Sequence, residues 1–168
     1  MVQDATGKEI LKRVKTLCDD VVWDSEITNL FGEPYMFTSR TDDYHLDIYQ
    51  WNADSERFLF SQSLNSNSRN MRMAGAIFNY GGKTYIPSQI SGYTYGQAVE
   101  IKELHKTDQG WDLKTVRKLS PPRSILNDGL HTFNVYNNLL IVDIHRQNNL
   151  WSVFVKKLAI LRKFLKNQ

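Results

Sequence analysis

Apolar and polar positions alternate along most of the chain in short runs, and Gly, Asn, Asp and Ser separate the runs. This period of two is the signature of half-buried β-strands. The pattern also repeats on a longer scale. Ile27–Ser39, Ala76–Ser88 and Thr132–Asp143 each place an apolar strand, a tight turn and a second strand in that order. The turns fall at Phe31-Gly32, Gly81-Gly82 and Asn137-Asn138, where Gly and Asn accept the positive φ that short hairpins demand. A polar loop and an alternating third strand follow in each unit, at Tyr44–Trp51, Gln97–Leu104 and Leu150–Val155. Arg57–Leu64 and Trp111–Leu119 read as fourth strands closing the first two units.

Turns that recur at intervals of 50 and 56 residues match the blade repeat of a β-propeller. The predicted fold is therefore all-β: a partial propeller over residues 1–155, with blades at about 20–64, 72–119 and 129–155. Ile10–Leu17 resembles the fourth strands and is expected to be the last strand of an otherwise absent blade; a short helix is the alternative. Propellers close with four or more blades, so these three are expected to belong to a longer protein or to be completed by another chain. Residues 156–168 are predicted to form a short basic amphipathic helix, with Phe154, Leu158, Leu161 and Leu165 at helical spacing across its start. Such a helix either packs its apolar stripe on the propeller, the expected arrangement, or makes a weak contact with an anionic membrane surface.

Composition narrows the function classes. The net charge is +3, and five basic residues (Lys156, Lys157, Arg162, Lys163, Lys166) lie in the last 13 positions without an acid. Removing those five leaves a charge of about −2, so the body offers no phosphate-tracking surface and no nucleic-acid partner is expected. Cys18 is the sole cysteine, which excludes an internal disulfide. The first ten residues lack the apolar core of a secretory signal, and a cytoplasmic location is the expectation. Eight Tyr, eight Phe and four Trp suit strands, and they also suit sugar binding, where flat rings lie against pyranose faces.

In a propeller the start of each inner strand and the loop after the second strand reach the ligand face. The residues to inspect are Trp23–Glu26, Arg69–Gly75 and Asn127–His131, with Ser39-Arg40, Ser88-Gln89, Asp143 and Arg146 after the hairpins. Together they carry carboxylates, arginines, amides and a histidine, the equipment for holding hydroxyls and anions. Glycoside hydrolysis needs two carboxylates across the scissile bond. Asp24 and Glu26, two apart on one strand face, and Asp143 are the candidate catalytic acids; Asp24 equally suits a turn that satisfies backbone amides. His131 is a ligand-face candidate or a hydrogen-bonded core histidine. Arg72, a cation beside a strand start, calls for a partner or an anionic ligand. No metal-ligand spacing, nucleophile elbow, phosphate loop or Cys-x-x-Cys is present, and no metal or cofactor is expected.

Several of these residues fall in a recognisable set: Arg72-Met-Ala-Gly75, Pro87-Ser-Gln89, Tyr95-Gly96, Gly129-Leu-His-Thr132 and Asp143 with Arg146. Over about residues 20–146 the chain resembles the N-terminal-domain family of glucosamine inositolphosphorylceramide transferases and its bacterial relatives, which belong to the five-bladed arabinanase, levansucrase and invertase-like propellers. The resemblance implies ligand-face roles for Asp24, Arg72, Gln89, Tyr95, His131 and Asp143. The chain departs from the family in lacking the early blades, which in related hydrolases carry one of the acids. Ile86 also stands before Pro87 where the family pattern has an arginine, which removes an anion contact.

The resemblance implies a carbohydrate-related role in glycan synthesis or modification. The leading expectation is a propeller module that binds a glycan or nucleotide sugar beside a glycosyltransferase or other sugar-modifying domain. The alternatives are a glycoside hydrolase or transglycosylase using Asp24 and a second carboxylate, and a protein-interaction propeller.

Overall fold

The computed structural model describes residues 15–40, 42, 44–92, 96–122, 127–137, 139–146, 150, 151, 154, 155 and 157. Among the described residues, ten strands form three antiparallel sheets. The first is a four-stranded meander of β1 (Trp23–Leu30), β2 (Glu33–Ser39), β3 (His45–Asn52) and β4 (Arg57–Asn65). The second repeats it with β5 (Phe78–Tyr80), β6 (Lys83–Ile90), β7 (Ala98–Thr107) and β8 (Gly110–Leu119). The third is a hairpin of β9 (Asn127–Tyr136) and β10 (Leu139–Arg146). The predicted hairpin residues make the turns: φ is 55° at Phe31, 87° at Gly32, 57° at Gly81, 75° at Gly82 and 52° at Asn137. Paired positive φ values match the right-handed twist of the flanking strands.

The central strands β6 and β7 of the middle sheet are buried on both faces, and the alternation along them decides what meets what. Ile86 and Leu104 join Phe37, Leu46, Ile48 and Trp111 in a core against the first sheet. Val99, Ile101 and the partly buried Tyr85 join Leu130 and Phe133 in a core against the third. Trp111 anchors the first core. Its ring meets Tyr35 edge-on at 5.2 Å and Phe37 at 6.3 Å. Its backbone is clamped by Gln62 of β4, whose Oε1 accepts from Trp111 N at 2.7 Å while Nε2 donates to Trp111 O at 2.9 Å. On the far face of the first sheet a smaller cluster of Met36, Tyr49 and Phe58 is covered by Cys18 and Val22. The segment carrying those two residues is held by Phe58 N donating to Leu17 O at 2.7 Å and by an Arg57–Asp19 ion pair.

The structure corrects the sequence reading where it describes the residues concerned. Leu150–Val155 is not a third strand of the last unit: the third sheet has two strands, and Leu150, Trp151, Phe154 and Val155 have helical backbone. Those four residues recur at one and four positions apart, a helical stripe, so the helical period prevails over the strand period. The short C-terminal helix predicted for 156–168 is not among the observed elements, and apart from Lys157 that segment lies outside the described residues. Of the strand predicted over Ile10–Leu17, Lys15–Leu17 is not in a strand, and Ile10–Val14 lies outside the described residues. Finally, the inner strand expected over Ala76–Tyr80 pairs regularly only at Phe78–Tyr80.

The core assignment is testable by urea unfolding. Ile86 has no exposed surface, and Ile86→Ala should cost about 2–5 kcal/mol. Leu59→Ala, at a position 49% exposed on β4, should stay within about 0.5 kcal/mol. Equal losses would show that the interior is organised differently.

Candidate functional site

The site grows from a break in the middle sheet. Met73 bridges Ser88, and Phe78 pairs with Tyr85, so four residues (74–77) stand opposite two (86 and 87). Pro87 explains the break. Ala74 N donates to Pro87 O at 2.9 Å, but proline has no N–H to return. The Ala74 carbonyl therefore turns outward and accepts from Phe133 N of β9 at 2.8 Å. Ala76 N donates to Asn134 Oδ1 at 3.0 Å. Gly75 makes this approach feasible, because a Cβ there would lie 2.2 Å from the Phe133 carbonyl oxygen. Two further glycines close the neighbourhood: a Cβ on Gly96 would strike the His131 ring at 2.7 Å, and one on Gly129 would strike the Gly96 carbonyl at 2.6 Å.

A cleft of about 370 Å³ lies here, lined by Asp24, Glu26, Gln89, His131 and Asn134 with the backbone of Met73–Ala76. Four of the residues singled out in the sequence thus meet at one place, and a fifth, Arg72, adjoins them. Asp24 sits in a bulge of β1, where Asp24 and Ser25 stand opposite Thr38 between the Trp23–Ser39 and Glu26–Phe37 pairs. Its φ of 48° is left-handed, a conformation disfavoured for most side chains but tolerated by Asp. Thr38 Oγ1 holds the bulge by accepting from Trp23 N at 3.1 Å and donating to Trp23 O at 2.9 Å. Held this way, Asp24 Oδ2 accepts from Arg72 Nε at 2.7 Å, an ion pair from β1 to the segment that precedes β5.

Glu26 lies further along β1, half-buried. Burial pushes its carboxyl above the usual glutamate range, because desolvation disfavours the charged form. Gln89 is 4% exposed, its backbone N–H donates to Arg72 O at 2.7 Å, and its Oε1 makes no hydrogen bond among the described residues. His131 stands in a second bulge, where His131 and Thr132 face Asp143 alone between the Val142–Phe133 and Ile144–Leu130 pairs.

Asp143 serves that bulge. Its Oδ1 accepts from His131 N and Thr132 N, and its Oδ2 lies 3.3 Å from His131 Nδ1. Burial opposes the charged form of Asp143, but the Thr132 amide and the neighbouring His131 outweigh it and hold the carboxyl below the usual range. The approach of Asp143 Oδ2 to Nδ1 orients the His131 ring. Asp143 therefore positions His131, and it is not among the residues lining the cleft.

Arg146, at the end of β10 opposite Asn127, is exposed and is likewise not among the lining residues. Tyr95 lies outside the described residues. The sequence reading included Ala74 and Gly75 in the segment to inspect but did not single out Ala76 or Asn134 as site groups. The signal was present in Pro87, whose missing N–H frees the inner strand. Among the described residues no group of three or more His, Cys, Asp or Glu is placed to hold a metal ion.

The fold and site together define an all-β protein of stacked antiparallel sheets with a polar cleft at the junction of all three. No protein-family model, curated protein or solved structure matches the chain.

The environment of Glu26 sets a pH dependence with a definite sign. A carboxyl whose value is raised on folding favours the native state most while it is protonated, and that contribution is lost as pH rises above the ordinary glutamate value. Glu26→Gln should therefore melt with the parent protein at pH 4 and above it at pH 7. A gap of the same size at both pH values would show that ionisation of Glu26 is not responsible.

Proposed function

We propose that the chain is a carbohydrate-binding module made of propeller blades, taking a glycan or a nucleotide sugar in the cleft between its three sheets. The propeller reading draws support from two equivalent four-stranded meanders stacked face to face, followed by a hairpin that begins a third unit. It also draws on the meeting of β1, the break before β5, and β9 at the cleft, as inner strands meet around a propeller channel.

The observation that carries the binding reading is Gln89. A buried amide oxygen without a donor costs about 1–3 kcal/mol, and on a cleft wall a ligand hydroxyl can remove that cost. Asp24, Glu26, His131 and Asn134 surround it with further acceptors and donors at fixed positions, the arrangement that polyol recognition uses. Of the residues quoted for the resemblance to the glucosamine inositolphosphorylceramide transferase N-terminal-domain family, Met73, Ala74, Gly75, Gln89, His131 and Thr132 line this cleft, which supports the same class of ligand and a place beside a sugar-modifying domain.

The test is a thermal melt of the purified chain with monosaccharides, nucleotide sugars and oligosaccharides. A ligand at 100 times its dissociation constant should add about 2.7 kcal/mol of stability. Gln89→Leu, close to isosteric, should melt cooperatively and lose that shift. A cooperative melt that no sugar moves would instead favour a protein-interaction propeller.

A second reading rests on the unlike surroundings of two neighbouring carboxyls. Glu26 is driven toward its protonated form by burial, whereas Asp24 is held in an ion pair by Arg72. A protonated acid beside a charged carboxylate is the division of labour in glycoside hydrolysis. If the chain turns over a glycoside, Asp24→Asn should abolish hydrolysis while retaining sugar affinity; unchanged hydrolysis would remove Asp24 from the chemistry.

A further inference from the structure

A second and larger cleft, of about 640 Å³, opens on the other side of the β1 bulge. Its lining includes Trp23, Arg40, Asp42, Asp47, Tyr49 and Phe60. The two clefts share a wall. Trp23 lines one and the next residue, Asp24, lines the other; Ser39 lines the larger cleft, and its Oγ accepts from the backbone N–H of Met73, which lines the smaller.

This second cleft is built. Asp47, 4% exposed, accepts from Arg40 Nε at 2.6 Å through Oδ2 and from Ser63 Oγ at 2.6 Å through Oδ1. The guanidinium is thereby fixed by its inner nitrogen. Its two terminal amino groups make no hydrogen bond among the described residues. The other carboxylates here are engaged: Asp20 accepts from the Tyr49 hydroxyl at 2.8 Å, and Asp42 accepts from Tyr44 N at 2.9 Å and lies 2.7 Å from His45 Nδ1. Two large rings are exposed on the lining, Trp23 at 49% and Phe60 at 53%. Phe60 is steadied by an edge-on contact with Tyr49 at 5.7 Å.

Exposed flat rings beside a fixed fork of donors match a sugar unit, whose C–H face lies on an aromatic ring while its equatorial hydroxyls meet the guanidinium. We infer that the larger cleft is a second sugar subsite adjoining the first, so that the ligand is an oligosaccharide of at least two units running across the Trp23–Asp24 bulge. This rests on the carbohydrate reading of the smaller cleft and adds the length of the ligand to it.

The experiment is calorimetric titration of the full chain with two neutral series of one to four units, glucose with its linear β-linked oligomers and arabinose with its linear α-linked oligomers. In the series that binds, the dissociation constant should fall at least tenfold between the single sugar and the trimer. Trp23→Ala should return the trimer to the affinity of the single sugar and leave the single sugar within twofold of its parent value. Phe60→Ala, at a separate exposed position, should act in the same direction and guards against a folding effect peculiar to Trp23.

Equal affinity for single sugar and trimer, or equal weakening of both by Trp23→Ala, would overturn the second subsite while leaving the first in place. Absence of binding by every member of both series, together with a melt that no sugar moves, would overturn both.

Discussion

Burial of both faces of β6 and β7, the central strands of the middle sheet, is the constraint on which the rest of the molecule depends, because strands without a solvent face must find an apolar partner on either side. Ile86 and Leu104 point one way and Tyr85, Val99 and Ile101 the other. The first and third sheets are placed by that alternation. Trp111 secures one side, with its ring against Tyr35 and Phe37 and its backbone in the grip of Gln62. The side toward β9 is secured by backbone, through Phe133 N to Ala74 O and the close approach of Gly75.

The cleft follows from how that second contact is made. A regular inner strand would spend its hydrogen bonds on β6. Pro87 cannot return a bond to Ala74, so the strand lifts away between Met73 and Phe78 and bonds to the third sheet. The space beside the lifted segment is bounded by Gln89 on β6, by the β1 bulge bearing Asp24, and by the β9 bulge bearing His131. Bulges re-aim side chains that a regular ladder would direct elsewhere. Here each is pinned by a short polar side chain, Thr38 for β1 and Asp143 for β9.

The electrostatic division at the site has the same origin. Asp24 projects from a bulge toward a cation in the segment before β5, whereas Glu26 remains in the ladder where burial raises its value. Two acids separated by one residue thus acquire different surroundings. Asp143 illustrates the opposite case, a carboxylate engaged by the backbone it stabilises and therefore a positioning group.

Much of this was legible in the chain. Period-two alternation marked most of the strands, and Phe31-Gly32 and Gly81-Gly82 marked turns, because those signals depend only on local backbone sterics. The Leu150–Val155 segment was read wrongly since a six-residue stretch with five apolar positions fits either period. The repeat also pointed to Asp24, Arg72, Gln89 and His131 as neighbours, and Asp24, Gln89 and His131 line one cleft with Arg72 bonded to Asp24.

The sequence by itself determined the alternation, the turns and the missing proline N–H. Tertiary structure decided which carboxylate meets Arg72, which one caps a bulge, and that Trp23 and Arg40 share a second cleft beside the first. Those outcomes depend on bulges and on distances between sheets. Both are set when apolar faces from separate parts of the chain pack together, and no local pattern of residues encodes them.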